Sequence, residues 1–168
     1  MIQIRSSTEA DFMALVPLYR GFYRLHRQLL GGSEAIGVEE AIEITKEAMD
    51  PSAGWLIVAQ DADSGRLAGF AHWEERQGAF FGRELYVDPD HRGRGIGSRL
   101  QKEVEQRVRQ AGGKALFVSI LPHNHQMLTF ALRRGYDTLN TLELRKELTD
   151  GQARRSQVSL LDLEFKII

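Results

Sequence analysis

Three glycines at alternate positions, Gly93, Gly95 and Gly97, stand where a short apolar stretch gives way to helical spacing. No other feature constrains the fold of this chain as tightly. Leu85, Tyr86 and Val87 have strand character, Asp88-Pro89-Asp90 is turn chemistry, and Ile96, Leu100, Val104 and Val108 recur at helical spacing. The stretch reads as strand, turn and helix. Without side-chain bulk at the helix entrance, the first-turn N–H groups can converge on an anion. A hydrogen bond to a charged group contributes roughly 1.5–3 kcal/mol and the helix dipole roughly 0.3–1 kcal/mol, so several amide donors outweigh the dipole.

Three glycine-rich readings compete. A dinucleotide fingerprint on Gly93 and Gly95 needs glycine or alanine at position 98, which is Ser98, and a phosphate loop of the NTPase kind needs Gly-Lys-Ser/Thr, which is missing. What remains is Arg92-x-x-Gly95-x-Gly97 preceded by Glu84-Leu85-Tyr86-Val87. On these residues the chain resembles the GNAT superfamily of acetyl-CoA-dependent N-acetyltransferases. The plainer alternative is a glycine-rich turn that only lets a helix start close to a strand.

The sequence has 168 residues, 42% hydrophobic and 27% charged, as expected of one globular domain over 1–168. A net charge of −1 gives no reason to expect nucleic acid or an anionic membrane as partner. There is no cysteine, which closes disulfides, thiolate metal ligation and a sulfur nucleophile together. Met1-Ile2-Gln3-Ile4-Arg5 lacks the profile of a signal peptide and no apolar run reaches membrane-spanning length, so a cytoplasmic location is expected.

Ile2 and Ile4 alternate with polar neighbours as a short strand, and Thr8 caps a helix whose apolar face is Phe12, Leu15, Val16, Tyr19, Phe22 and Tyr23. Pro17 predicts a kink or break there, and Gly31-Gly32 an end. A second helix runs from Gly37 to Asp50-Pro51, with Ala41, Ile42, Thr45 and Met49 on one face. Strands are expected at Trp55–Ala59, Leu67–Trp73 and about Phe80–Val87, the first two joined by the turn formers Asp61 to Gly65. Glu74 and Glu75 either face a cationic acceptor or are solvated edge charges.

The helix from Gly95 to Ala111 carries Arg92, Arg94, Arg99 and Lys102 at its start; basic residues there oppose the dipole, so an anionic ligand would account for them. Ala115–Leu121 is a continuous apolar run suited to a buried parallel strand, and a helix follows through Arg134. Thr138–Leu142 and Leu144–Leu148 predict a strand or hairpin. Thr149–Gln157 is a polar connector. In Val158–Ile168 the residues Leu161, Leu163, Phe165 and Ile167 alternate with charged ones, as in a strand with one buried face. That strand either completes this chain's own sheet or adds to a second subunit in a homodimer.

The resemblance covers about residues 2–148, leaving 158–168 as an extra strand. It implies one α/β domain, with a mixed, mostly antiparallel sheet flanked by helices and a splayed parallel strand pair. Acetyl-CoA is the implied cosubstrate, held by Leu85, Tyr86, Val87, Arg92, Gly93, Arg94, Gly95, Ile96, Gly97 and Ser98. It further implies a small-molecule or peptide primary amine as acceptor, attacking directly in a ternary complex. The Val87 N–H would be the oxyanion donor, with Glu84 either the general base or a strand-end charge paired with Arg83.

Asn124 matches the family asparagine that bonds the pantetheine arm; its other reading is a helix N-cap. The family's tyrosine general acid aligns with Ala131, so that role is not carried over. His123 and His125 flank Asn124 without a third metal ligand, and no metal is expected. A catalytically weak acetyl-CoA-binding or sensor domain, and a scaffold for another phosphorylated ligand, stay open as alternatives.

Overall fold

The computed structural model describes residues 1–33, 35–146, 148, 156–160 and 162–167. The chain divides into two compact units, Met1–Leu25 with Ala35–Ser119, and His26–Glu34 with Ile120–Ile168.

The first unit is built on a five-stranded sheet of order β1-β2-β3-β4-β5. Its strands are β1 (Ile2–Ser6), β2 (Trp55–Asp61), β3 (Leu67–Arg76), β4 (Ala79–Val87) and β5 (Leu116–Val118). The first three pairings are antiparallel and β4 with β5 is parallel, which gives the mixed, mostly antiparallel sheet expected. Both faces of β2 and β3 are covered, which accounts for continuous apolar runs such as Leu56-Ile57-Val58-Ala59.

Helix α1 (Phe12–Leu29) lays Leu15, Leu18, Tyr19 and Phe22 on one sheet face, against Leu56, Val58, Phe70 and Tyr86. Helix α3 (Ile96–Gln110) lays Ile96, Leu100, Val104 and Val108 on the other, against Ile57, Ala59, Ala71, Trp73 and Phe80. In α2 (Val38–Met49) the buried residues are Ala41, Thr45 and Ala48, while Ile42 and Met49, expected on that face, are half-buried. The buried Thr45 hydroxyl donates to the Ala41 carbonyl at 2.7 Å, so its polar atom is satisfied.

Pro17 does not break α1. It lies on the exposed side of the helix, as does Met13, whose carbonyl loses its partner N–H, so water can reach that carbonyl. Close approach of α1 to the sheet depends on Gly21, where an added Cβ would come 2.4 Å from the Tyr86 Oη.

In the second unit α4 (His125–Leu132) stops short of Arg134, and the described tail is a hairpin rather than one strand. There β6 (Ser156–Leu160) pairs antiparallel with β7 (Leu163–Ile167) as a separate two-stranded sheet. Leu160 faces Leu163, and Asp162 takes φ +60 in the turn, a conformation that aspartate tolerates better than most residues. The expected connector therefore loses Ser156 and Gln157 to β6; its residues 149–155, like Leu161 and Ile168, lie outside the described residues.

Two strand expectations are corrected. β5 is three residues long instead of spanning Ala115–Leu121. Residues 137–146 form no strand: Leu139 would fall on the opposite face of a pleat from Leu142 and Leu144, and all three are exposed, so no face is buried. Among the described residues no helix is long and apolar enough to cross a membrane.

Arg5 ties the start of the chain together. Its Nη1 and Nη2 donate to the two carboxylate oxygens of Asp11 at 2.7 Å each, and its Nε donates to Gln60 at 3.0 Å on the neighbouring strand. Asp11 also accepts from the Thr8 N–H at 2.8 Å and the Thr8 hydroxyl at 3.0 Å, closing the helix entry. Hydrogen bonding from Arg5, ahead of that from Thr8 and against the opposing effect of burial, holds the Asp11 carboxyl below the usual carboxylate range. A carboxyl depressed in the folded state stabilises the fold fully above its unfolded value of about 3.9, and this contribution disappears as pH falls through the folded value. Arg5→Leu is predicted to cost about 2 kcal/mol in urea unfolding at pH 7. The gap to the parent should narrow at pH 3; a gap that stays constant with pH would refute the assignment.

Candidate active site

The β3–β4 ladder contains one extra residue. Trp73 pairs with Gly82 and His72 with Glu84, so Arg83 is bulged out between them. Because side chains alternate along a strand, one extra residue exchanges the faces of everything after it. Phe80 packs on the α3 side, whereas Tyr86 joins the α1 cluster beside Phe22 and Phe70. Glu84 lies in register between them on the α1 side, opposite His72.

The Glu84 side chain is 8% exposed and its Oε2 lies 2.8 Å from His72 Nδ1. His72 Nε2 lies 3.0 Å from the Ala53 carbonyl. Tyr23 on α1 is hydrogen-bonded to Glu84, and burial, with the Glu84 charge second, raises its phenol above the ordinary value. The Tyr19 phenol is pushed up more strongly by the same two causes, and its buried Oη has no hydrogen-bond partner among the described residues. Arg83 Nε stands 4.0 Å from Glu84 Oε1, a looser contact than the histidine's. The sequence reading of Glu84 as base or Arg83 partner thus omitted its main neighbour. His72 sits in an apolar strand, where only the bulged register reveals its partner.

β4 outruns β5. Their last paired residues are Gly82 and Val118, so Glu84 to Val87 continue past the end of the parallel ladder. The Asp88 N–H donates to the Ala68 carbonyl at 2.9 Å, and Gly69 faces Val87. By the alternation of an antiparallel ladder, Tyr86 spends its backbone groups on Phe70, while the N–H groups of Leu85 and Val87 point away from β3. The Leu85 and Val87 side chains pack toward the α3 cluster.

The chain then turns through Pro89–His91, capped by Asp88, into the glycine loop. Gly93 and Gly95 both take φ +74, a left-handed conformation costly for residues with a Cβ. A Cβ at either would meet nothing within 4 Å, and Arg92, Gly93, Arg94 and Gly95 are exposed. The helical hydrogen bonds begin with Arg99 N–H to Gly95 O at 3.1 Å, so the Ile96 and Gly97 amides lack an intrahelical acceptor. The Ile96 side chain is buried in the core and offers only its backbone, while Ser98 is half-buried on the first turn. Open space, left-handed glycines and helix-start amides fit a phosphate group.

Two of the four basic residues there have structural uses. Arg92 Nε donates to the Val87 carbonyl at 3.0 Å, and Arg99 donates to the Ile2 carbonyl at 2.8 Å. Glu74, half-buried, pairs with Arg76 and Arg83.

Asn124 belongs to the second unit. Its side-chain oxygen accepts from the Met127 N–H at 3.0 Å as the N-cap of α4. His123 Nε2 lies 3.2 Å from the Ser156 hydroxyl and His125 opens α4. Ala131 is buried in the same helix, so a tyrosine there would have to displace packed neighbours.

Several solved structures share this fold. The PaiA N-acetyltransferase of Thermoplasma acidophilum in complex with coenzyme A superposes with a TM-score of 0.65 at 19% identity, over 91% of this chain and 95% of that one. The aminoglycoside N-acetyltransferase AAC(6')-Iy in complex with CoA gives 0.66 at 16% identity, covering 89% and 96%. An integron cassette protein from the mobile metagenome of V. cholerae gives 0.67 at 17% identity, covering 90% and 93%. A search of curated protein sequences returns no match. The model of the acetyltransferase (GNAT) family matches residues 14–136, well over half of the sequence, and the chain belongs to that family.

Proposed function

We propose that this protein transfers the acetyl group of acetyl-CoA to a primary amine of a small molecule or peptide, by direct attack in a ternary complex. The observation that carries this reading is β4 outrunning β5 and ending in a phosphate-sized glycine loop, with a buried carboxylate on the same strand. The family uses acetyl-CoA, and two structures of the same fold are N-acetyltransferases in complex with CoA.

When bound, acetyl-CoA supplies the thioester whose carbonyl carbon the amine attacks and whose C–S bond then breaks. In this reading the Ile96 and Gly97 amides, with the backbone from Arg92 to Ser98, receive the pyrophosphate. The outward groups of Leu85 pair with the pantetheine arm, while the Val87 carbonyl keeps its bond from Arg92 and the Val87 N–H faces the thioester carbonyl oxygen as negative charge develops there. A donor so placed contributes about 2.7–4 kcal/mol.

An alkyl amine with pKa near 10.4 is mostly protonated at pH 7, and freeing its lone pair costs about 4–5 kcal/mol. Glu84 takes that proton and later returns it to solvent. The departing thiolate has a pKa near the cysteine value of about 8.5, so solvent can protonate it and Ala131 is no obstacle. With no cysteine in the sequence, no acyl-enzyme through sulfur intervenes.

Incubating the protein with acetyl-CoA and a panel of primary amines should release free CoA thiol in an amine-dependent manner. Stoichiometric binding without release by any amine would favour the sensor reading, and absence of CoA binding would favour another phosphorylated ligand. Gly97→Glu tests the loop. Gly97 lies within α3 and is not among the positive-φ glycines, so a side chain there is conformationally allowed. The variant should melt as the parent does and show no acetyl-CoA binding by calorimetry; parental affinity would refute the assignment.

A further inference from the structure

His72 is 3% exposed, and both of its ring nitrogens are engaged. The Ala53 carbonyl can only accept, so Nε2 carries hydrogen. Nδ1 faces a carboxylate oxygen at 2.8 Å, and one proton must lie between them, on the ring or on Glu84. With that proton on the ring, Glu84 is a carboxylate whose Oε2 is occupied by Nδ1–H, and Oε1 is the oxygen that His72 leaves to take a further proton.

The ring is held from behind as well. Ala53 closes the Pro51–Ala53 turn, and Gly54 after it sits so close to β3 that a Cβ would come 2.2 Å from the Trp73 carbonyl.

We propose that His72 is a positioning residue for acetyl transfer: clamped between the Ala53 carbonyl and Glu84, it fixes the carboxylate so that Oε1 faces the acceptor amine. This rests on the reading of Glu84 as the group that takes the amine proton. In the step, the acceptor ammonium gives one proton to Glu84 Oε1, the freed lone pair bonds to the acetyl carbon as the C–S bond breaks, the nitrogen's second proton passes through solvent to the departing thiolate, and His72 keeps its own protons throughout. The residue acts through Glu84 and touches neither substrate.

Two substitutions separate its two hydrogen bonds. Asparagine places its amide where Nδ1 sits and keeps the bond to Glu84, whereas glutamine reaches the position of Nε2 and keeps the bond to Ala53. H72Q should lower kcat about 10- to 100-fold with the KM for acetyl-CoA unchanged, as expected when a catalytic group is misplaced. H72N should restore kcat to within about threefold of the parent. In an E84Q background, itself slowed about 100-fold or more, H72Q should add almost nothing.

The proposal is overturned if H72N and H72Q lose equal activity, if H72Q slows E84Q by the same factor as it slows the parent, or if H72Q raises the KM for acetyl-CoA with kcat intact. Parental turnover in E84Q would instead remove the general-base reading itself. Should H72Q fail to fold, a large loss of kcat in folded H72N overturns the proposal alone.

Discussion

One extra residue in β4 governs the chemistry of the first unit. With Arg83 bulged between the pairs Trp73–Gly82 and His72–Glu84, the strand begins with its even-numbered residues toward α3 and ends with them toward α1. Without that shift Glu84 and Tyr86 would face the α3 side, toward the apolar cluster that includes Ile96, Leu100, Val104 and Val108. With it, Glu84 meets His72 and Tyr23, and its charge reaches the buried Tyr19 phenol. The bulged residue is itself the nearest guanidinium, 4.0 Å from the carboxylate it redirects.

Burying a carboxylate is costly unless several partners share the charge. Here they come from two places, His72 across the ladder and Tyr23 from α1, and the Ala53 carbonyl holds the imidazole from behind. The loop at the start of α3 solves the opposite problem. Its amides present partial positive charge to open space, while the guanidinium of Arg92 is drawn back onto the Val87 carbonyl and that of Arg99 onto Ile2. The strand end and the helix start are thereby tied together by a side chain that at first sight belongs to a ligand.

Most of the first unit was legible because its signals are local. Periodicity found α1, α2 and α3, turn formers found the β2–β3 hairpin, and Arg92-x-x-Gly95-x-Gly97 found the loop together with its family. The bulge was not legible, since Arg83 looks like any residue in a strand and only the pairing partner shows that it is surplus. His72 was missed for the same reason. In the second unit, period two in the tail did signal extended chain, but the alternation of Leu163 and Phe165 continues through a tight turn at Asp162 without any glycine to mark it. Leu139, Leu142 and Leu144 misled in the other direction, being apolar enough for a strand but left exposed with nothing to bury them.

The two tryptophans give the molecule a built-in optical probe with a defined field of view. Trp55 is 44% exposed and Trp73 is buried, yet their rings stack with centroids 6.0 Å apart across the β2–β3 ladder. Arg107, on the helix that begins at the glycine loop, holds its guanidinium 6.0 Å from the Trp73 ring. Intrinsic fluorescence therefore comes from one coupled indole pair, with one ring open to solvent quenchers and the other touched by α3. Displacement of that helix reaches the signal through a cation, whereas residues 120–168 contain no indole and their rearrangements have no tryptophan emission of their own.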